Sequence, residues 1–215
     1  MKVIVYVEGP SDKLAMEVLL APLLEEKRKA GVAVEFFHTE GKRSLLTKIP
    51  RRAANIVRNQ PDSIVVAVPD LYPKNIGFNH ETLEDLRSGM IESYRSTLHE
   101  KYADYDQRIE ERFQVFCFKH DLESLVLACE QRLRQYLGTE RFSIQWHRDV
   151  EEQDDKNPPK KIVEQLFRDC GKRYVPTVDA PAILAQGQYE EVSNRCSQCF
   201  KPFVEFLAGL RPEQS

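Results

Sequence analysis

The chain alternates short apolar runs with longer segments in which the apolar residues have helical spacing. Residues 3–7 and 64–68 are continuous in hydrophobicity, as is typical of strands that are covered on both faces. Residues 32–37 and 113–118 are predicted as two further strands. A segment with helical spacing follows each of the four runs. This order of strands and helices predicts an α/β fold with a mostly parallel sheet flanked by helices.

Two of the predicted helices are defined by their apolar stripes. The first follows residue 8 and is expected to kink at Pro22. The other extends from residue 80 to about residue 102 and is charged on its outer face. The first stripe consists of Leu14, Val18, Leu19, Leu23 and Leu24, and the second of Leu83, Leu86, Met90, Tyr94 and Leu98.

The character of the chain changes after residue 130. Residues 142–146 are predicted as a short strand, and residues 151–159 form an acidic block ending in two prolines, which is expected to be a solvated loop. Residues 180–210 are predicted as short helices whose apolar side chains pack inward. We therefore predict an α/β core over residues 1–130 and a helical C-terminal extension over residues 131–215 that packs on it.

Composition narrows the class of protein. The 215 residues carry a net charge of only -3, so the chain as a whole is not a basic nucleic-acid binder, although local patches remain possible. No apolar run is long enough to cross a membrane, and the first residues are too soon interrupted by Glu8 to form a signal peptide. Five cysteines, an odd number, favour reduced thiols. We therefore expect a cytoplasmic protein without a membrane partner.

Cys196 and Cys199 form the one C-x-x-C pair of the chain. A structural zinc ion needs four ligands, and no second pair or nearby histidine completes the set. The predicted helical surroundings also differ from those of a thioredoxin-type site. We interpret both residues as core or incidental cysteines.

Acidic residues stand where three of the predicted strands end. Glu8 follows the first strand, Asp70 the third, and Asp121 and Glu123 the fourth. The carboxyl ends of parallel strands share one edge of a sheet, so these side chains are expected to converge. Clustered carboxylates must take up protons unless a divalent cation neutralises them. Ligands that are all oxygen favour Mg²⁺ or Mn²⁺, which commonly serve phosphoryl transfer.

Three basic features permit two interpretations each. Lys160 and Lys161 open a predicted helix after two prolines, where they either meet a docked phosphate or neutralise the acidic block. His120 is either a general base or phosphate ligand, or a polar residue at the mouth of the loop. Residues 45–59 carry a basic helix face that is either a solvated surface or a patch that follows a phosphate backbone. The face comprises Lys48, Arg51, Arg52 and Arg58.

The segment Gly41-Lys42-Arg43-Ser44 is superficially similar to a phosphate-binding loop of nucleotide triphosphatases. That motif requires an earlier glycine at the position that Phe36 occupies here. We therefore reject a nucleotide-triphosphate site at this segment.

The order of these motifs resembles that of the Toprim domain of type IA and type II topoisomerases, DnaG-type primases and OLD-family nucleases. More closely, nearly the whole chain resembles a small stand-alone Toprim-related family of unknown function, found in prokaryotes and often beside a gene for an ABC/SMC-like ATPase. The resemblance implies a Toprim-like sheet flanked by helices. The matching pieces are residues 7–9 with Asp12, 68–73, 120–124, 157–161 and 196–207.

The resemblance implies a Mg²⁺-dependent nuclease that acts on DNA or RNA, with an ATPase as protein partner in a defence or repair system. In such a site Glu8 is a metal ligand or general base, and Lys160 stabilises phosphate charge. The other expected ligands are Asp70, Asp121 and Glu123, with Asp12 and His120 as further candidates.

This chain departs from the Toprim pattern at one position. Toprim domains usually carry Asp-x-Asp after the later strand, whereas Tyr72 stands here at the second acidic place. Either Asp121 and Glu123 supply the missing ligand or metal binding is weaker. The alternative function is a non-catalytic subunit whose crevice binds a partner or regulatory ligand. A homodimer is possible in either case.

Overall fold

The computed structural model describes residues 1–102, 106–153 and 156–211. Within these ranges, strands and helices alternate over the first two thirds of the chain and helices make up the last third. Two short 3₁₀ helices span Gln107–Arg112 and Val150–Glu152. The other elements are β1 Lys2–Val7, α1 Pro10–Leu19, α2 Ala21–Lys29, β2 Ala33–His38, α3 Lys42–Asn59, β3 Ser63–Val68, α4 Leu83–Lys101, β4 Phe113–Val115, α5 Glu123–Ala128, α6 Glu130–Leu137, α7 Pro159–Asp169, α8 Pro176–Leu184, α9 Tyr189–Arg195 and α10 Phe200–Gly209.

The four strands form one sheet in the order β2-β1-β3-β4. Every neighbouring pair is parallel, which confirms the predicted α/β class with a parallel sheet. In the register of the central pair, Val7 lies opposite Val68, so β1 and β3 end at the same level. All four strands therefore have their carboxyl ends at one edge of the sheet.

Helices cover both faces of the sheet. Successive side chains of a strand point to opposite faces, so Val3, Val5 and Val7 enter one core while Ile4 and Tyr6 enter the other. The first core is shared with α1, α2, α5 and the C-terminal helices, and the second with α3 and α4. Burial on both faces explains why these strands are continuous apolar runs.

The C-terminal helices pack on the same core as the first face of the sheet. Phe200, Phe203 and Leu207 are fully buried, and the Phe203 ring meets Phe36 of β2 edge-on at 6.5 Å. Phe206 is half-buried against Phe116, with ring centroids 5.1 Å apart. The extension is helical and its phenylalanines pack inward, as predicted, while the proposed boundary after residue 130 stays a prediction.

The first predicted apolar stripe is partly wrong. Leu14 is 41% exposed, whereas its neighbours Ala15 and Met16 are buried. The helix does not bend at Pro22 but breaks at Leu20, with Pro22 in the first turn of α2. Each short helix thus orients its own apolar face, and a stripe drawn across the break misplaces Leu14.

Two predicted strands differ from the structure. Residues 142–146 form no strand, although their side chains alternate between exposed and half-buried. The alternation reflects packing of Phe142, Ile144 and Trp146 on the core, while a strand also requires a hydrogen-bonded partner. The fourth strand spans only Phe113–Val115, and the chain rejoins the ladder through an isolated bridge between Phe118 and Asp70.

The acidic block is not entirely a solvated loop. Glu151 lies in a 3₁₀ helix and is only 4% exposed, so the prediction for residues 151–159 is wrong at this position. Burial is possible because backbone N–H groups from a distant segment bind its carboxylate. Asp154 and Asp155 of the same block lie outside the described residues.

Two expectations from composition can be compared with the structure. All five cysteines are free, and Cys196 and Cys199 are buried in the core, as predicted. No helix in the described ranges combines the length and the apolar character that a membrane crossing requires.

Candidate active site at the carboxyl edge of the sheet

The ends of three parallel segments meet at one edge of the sheet. The backbone N–H of Asp70 donates to Oε1 of Glu8 at 3.0 Å, which joins the residues after β3 and β1. The backbone N–H of Leu71 donates to the carbonyl oxygen of Phe118 at 2.7 Å, which brings the chain after β4 to the same place. The strand order therefore positions three of the predicted acidic segments side by side.

Asp12 belongs to the same group of side chains. It lies in the first turn of α1, where its Oδ2 accepts the backbone N–H of Gly9 at 2.8 Å. Asp12 and Asp70 line one small cavity of about 10 Å³, whose other walls are apolar. A cavity of this size is close to the space that a single water molecule occupies. The helix that follows Glu8 thus adds a second carboxylate from the same turn.

Asp121 and Glu123 approach from the start of α5. Glu123 is only 3% exposed. Burial and the nearby charge of Glu123 raise the pKa of Asp121 to about 8. Oδ1 of Asp121 is buried, and in the described part of the chain it has no hydrogen-bond partner. An oxygen of this kind is costly to bury unless a cation or a proton satisfies it.

The remaining carboxylates are also shifted toward the protonated form. Burial raises the pKa of Glu8 to about 7, although the N–H of Asp70 and the charge of Lys42 partly oppose this shift. Burial likewise raises the pKa of Asp12 to about 6. The pKa of Asp70 lies well above its usual value because of burial and then the charges of Glu8, Asp12 and Asp121. The cluster therefore cannot hold all its negative charges at neutral pH without protons or a cation.

The donor chemistry of this cluster fits a hard divalent cation. Its side chains offer oxygen ligands only, their charges repel one another, and Oδ1 of Asp121 lacks a partner. Within the described residues, however, no three acidic, histidine or cysteine side chains are arranged closely enough to form a ready metal-binding group. The chemistry of the residues thus fits Mg²⁺ or Mn²⁺, while their positions are not those of a preformed cage.

Lys42 is a member of the site that the sequence analysis did not predict. It is 7% exposed, and its Nζ donates to the carbonyl oxygens of Leu71 and Pro73, both at 2.7 Å. Burial lowers the pKa of Lys42, while the charges of Glu8 and Asp70 oppose that shift. The signal in the sequence was Gly41-Lys42 at the end of the second strand, on the same edge as the carboxylates. Lys42 places a buried positive charge beside two of them.

The structure separates the two neighbouring lysines of α7. Lys160 is exposed, and its charge lowers the pKa of both Asp12 and Asp121 against the effect of burial. Lys161 instead donates to the carbonyl oxygen of Lys156 at 3.1 Å. Of the pair, Lys160 is the one that the fold brings to the carboxylates, where a helix N-terminus also favours anions.

His120 and Tyr72 form a stacked pair beside the cluster. Their ring centroids are 5.6 Å apart and their planes differ by 15°. His120 is 4% exposed, and its Nε2 lies 3.1 Å from the carbonyl oxygen of Gln153. A carbonyl oxygen only accepts, so this contact requires a proton on Nε2. Tyr72, at the second acidic place of the Toprim pattern, thus packs on a buried imidazole.

Known proteins resemble this chain at the level of fold. The C-terminal region of the Burkholderia pseudomallei OLD protein is 15% identical, with a TM-score of 0.48 over 95% of this chain and 96% of that one. The C-terminal region of the Xanthomonas campestris pv. campestris OLD protein is 13% identical in one structure, with a TM-score of 0.45 over 96% of both chains. A second structure of that region gives 14% identity and a TM-score of 0.47 over 96% of this chain and 93% of that one.

Comparison with curated proteins gives no match. The sequence profile of DUF4276, described as a domain of unknown function, matches residues 7–208. Because this match spans nearly the whole sequence, the chain belongs to the DUF4276 family.

Proposed function

We propose that this protein is a Mg²⁺- or Mn²⁺-dependent nuclease of Toprim type that hydrolyses phosphodiester bonds in DNA or RNA. The observation that supports the proposal is the electrostatic coupling of Glu8, Asp12, Asp70, Asp121 and Glu123 at one sheet edge. A structural ion pair does not explain so many buried acids in one place. A site that must receive a cation and then a phosphate does.

Each group of residues has a distinct task in this proposal. Asp70, Asp121 and Glu123, with Glu8, are the residues that would hold the metal. When bound, the metal would stabilise the charge that develops on the reacting phosphate and lower the pKa of water. The raised pKa of Glu8, about 7, also suits a general base, since such a group works best near the ambient pH.

The two lysines stabilise different things. Lys160 is exposed at the start of α7 and would bind a phosphate oxygen of the substrate. Lys42 is engaged with the carbonyl oxygens of Leu71 and Pro73, so it would hold the loop after Asp70 in place. We therefore assign a binding role to Lys160 and a positioning role to Lys42.

A cleavage assay tests the proposal directly. Labelled DNA duplex, single-stranded DNA and RNA are incubated with the full chain and Mg²⁺ or Mn²⁺. We expect Glu8→Gln and Asp70→Asn each to lower the cleavage rate by about 100-fold or more. Lys160→Ala should have an effect of about 100-fold, because it removes a charge from the phosphate.

Two matched controls accompany these variants. Lys161→Ala changes the adjacent exposed lysine, and Glu205→Gln changes an exposed acid on α10. Both should cleave at the wild-type rate. Wild-type cleavage by Glu8→Gln or Asp70→Asn would disprove the proposed mechanism.

We further propose that an ABC/SMC-like ATPase is the protein partner, acting with the nuclease in a defence or repair system. The support for this step is the resemblance of the motifs to the stand-alone Toprim-related family. The assay is therefore repeated with the ATPase and ATP. A rate that the ATPase leaves unchanged, together with no co-purification of the two proteins, would exclude the partnership.

A second candidate function is a non-catalytic subunit that binds a partner or regulatory ligand in the same crevice. Two observations favour it: Tyr72 stacks on His120 at the second acidic place, and the described acidic side chains form no ready metal group. Isothermal titration with Mn²⁺ separates the two functions. Binding that Asp70→Asn abolishes supports the nuclease, whereas no metal binding and no cleavage support the non-catalytic subunit.

A further inference from the structure

Helix α3 carries an unusual concentration of positive charge. Its 18 residues include six lysines and arginines and not one acidic residue, in a chain whose net charge is -3. Lys42 is buried at the carboxylate cluster, and the five other cations are exposed to solvent. We call these five the basic stripe, and they are Arg43, Lys48, Arg51, Arg52 and Arg58.

The stripe occupies the outer half of the helix. At about 100° per residue, Arg43, Arg51 and Arg58 lie within about 80° of one another around the helix axis. The opposite half of α3 is buried against the sheet and α4 through residues such as Leu45 and Val57. At about 1.5 Å per residue the stripe is about 22 Å long, which corresponds to about six base pairs of duplex DNA.

The stripe starts at the candidate active site. Arg43 directly follows Lys42, which contacts the loop after Asp70. In a parallel sheet the helix that follows a strand runs back along the face, so α3 leads from the crevice toward the opposite edge. A polymer bound with one phosphate in the crevice can therefore continue along this helix.

Contacts on the helix favour phosphate as the ligand. Four of the five cations are arginines, whose planar guanidinium group binds phosphate through two hydrogen bonds. The guanidinium of Arg52 lies 5.3 Å from the ring centroid of Tyr6, and that of Arg58 lies 5.6 Å from that of Tyr102. These ring contacts restrict the side chains before any ligand binds, which lowers the entropy cost of binding.

We propose that the basic stripe on α3 is the surface that binds the nucleic-acid backbone and guides it into the carboxylate crevice. This inference rests on the proposed nuclease function for the identity of the polymer. It assigns the substrate contacts to a helix that carries none of the candidate catalytic carboxylates.

The test measures the salt dependence of binding, because each phosphate contact releases counterions. Fluorescence anisotropy with Ca²⁺ in place of Mg²⁺ follows a 20-base-pair DNA duplex, a DNA strand and an RNA strand of the same sequence. For Arg43→Gln/Arg51→Gln we expect the slope of log K against log salt to decrease by about 1.8 for the duplex or about 1.4 for a single strand. The variant Arg43→Lys/Arg51→Lys, which keeps both charges, should retain the wild-type slope.

A control of equal charge is available on the other face of the sheet. Arg28 and Lys29 are exposed on α2, so Arg28→Gln/Lys29→Gln removes the same charge away from the stripe. This control should keep the wild-type slope. An unchanged slope in Arg43→Gln/Arg51→Gln, an equal decrease in the control, or no binding of any probe by the wild type would overturn the proposal.

Cleavage and binding fail separately in this design. If the wild type cleaves nucleic acid but the slope does not change, the nuclease function stands and the stripe is excluded. If the slope decreases as expected but no metal supports cleavage, the stripe stands and the nuclease function is excluded. Thermal melts verify that the exposed substitutions leave the fold intact.

Discussion

Glu151 shows how one buried carboxylate can organise a helix start. It accepts the backbone N–H groups of Gln198, Cys199 and Phe200 at 2.7, 3.1 and 3.1 Å. These groups precede and open α10, where the first N–H groups of a helix lack partners within the helix. Burial raises the pKa of Glu151, and the three N–H groups oppose that shift. The residue therefore fixes α10 to the segment before α7.

Glu151→Ala should lower the free energy of unfolding by about 2–3 kcal/mol, because it leaves buried N–H groups without an acceptor. The measurement is urea unfolding followed by circular dichroism. Glu152→Ala is the control, because Glu152 is exposed and pairs with Lys119 at 3.1 Å. That change should cost less than about 1 kcal/mol. Equal losses in the two variants would contradict the role given to Glu151.

At the scale of elements, α2 and α10 are joined by a buried lysine. Lys27 is 1% exposed, and its Nζ donates to the carbonyl oxygens of Ala208 and Leu210. The last carbonyl groups of a helix have no partner within it, and a cation there also suits the helix dipole. Lys27 thus fastens the end of the C-terminal extension to a helix of the core.

Lys27→Met should lower the free energy of unfolding by about 1–3 kcal/mol, since the apolar stem is kept and the charged hydrogen bonds are lost. Chemical unfolding of the full chain measures the loss. Lys29→Met, at an exposed position of the same helix, should change stability by less than about 0.5 kcal/mol. A stability for Lys27→Met equal to that of the wild type would mean that the desolvation of the ammonium group cancels its hydrogen bonds.

At the scale of the whole molecule, the carboxylate cluster makes stability depend on pH. Glu8 and Asp121 have folded pKa values of about 7 and about 8, above their ordinary values of 4.5 and 3.8. Between these limits the folded state binds more protons than the unfolded state, so stability decreases as pH rises. The cluster is least costly to the fold when it is protonated or when a cation is present.

The metal-free protein should therefore melt at a higher temperature at about pH 5 than at about pH 8. Adding Mn²⁺ should raise the melting temperature, with a larger increase at the higher pH, where the carboxylates are ionised. Asp121→Asn should reduce both the pH dependence and the effect of Mn²⁺. A melting temperature that is higher at about pH 8 without metal would contradict the burial of these acids.

Much of the sheet could be predicted because its signal is local. A strand buried on both faces must be apolar at every position, so residues 3–7 and 64–68 identified themselves as β1 and β3. The helical pattern of residues 80–102 found α4, although Thr82 and Asp85 form the capping box that starts the helix two residues later than predicted. Residues 142–146 deceived the same reasoning, because half-buried alternation does not require a partner strand.

The candidate site was predictable only in part. Glu8 and Asp70 stand directly after strands, and the parallel order of those strands implies that they meet. Lys42, Glu151 and the Tyr72–His120 stack depend on contacts between residues that are distant in the chain. Their residue types carry no sign of those contacts, since a lysine or glutamate is most often exposed.

The sequence by itself determined which residues form strands and helices and that acidic residues follow the strands, because backbone preference and burial act on neighbouring residues. Only the tertiary structure decided that Lys160 faces the carboxylates while Lys161 turns to Lys156. It also decided that Lys42 and Glu151 are buried and that the exposed cations of α3 form one stripe leading from the crevice. These outcomes depend on how separate elements pack, where burial and long-range charge fix the position and the pKa of each side chain.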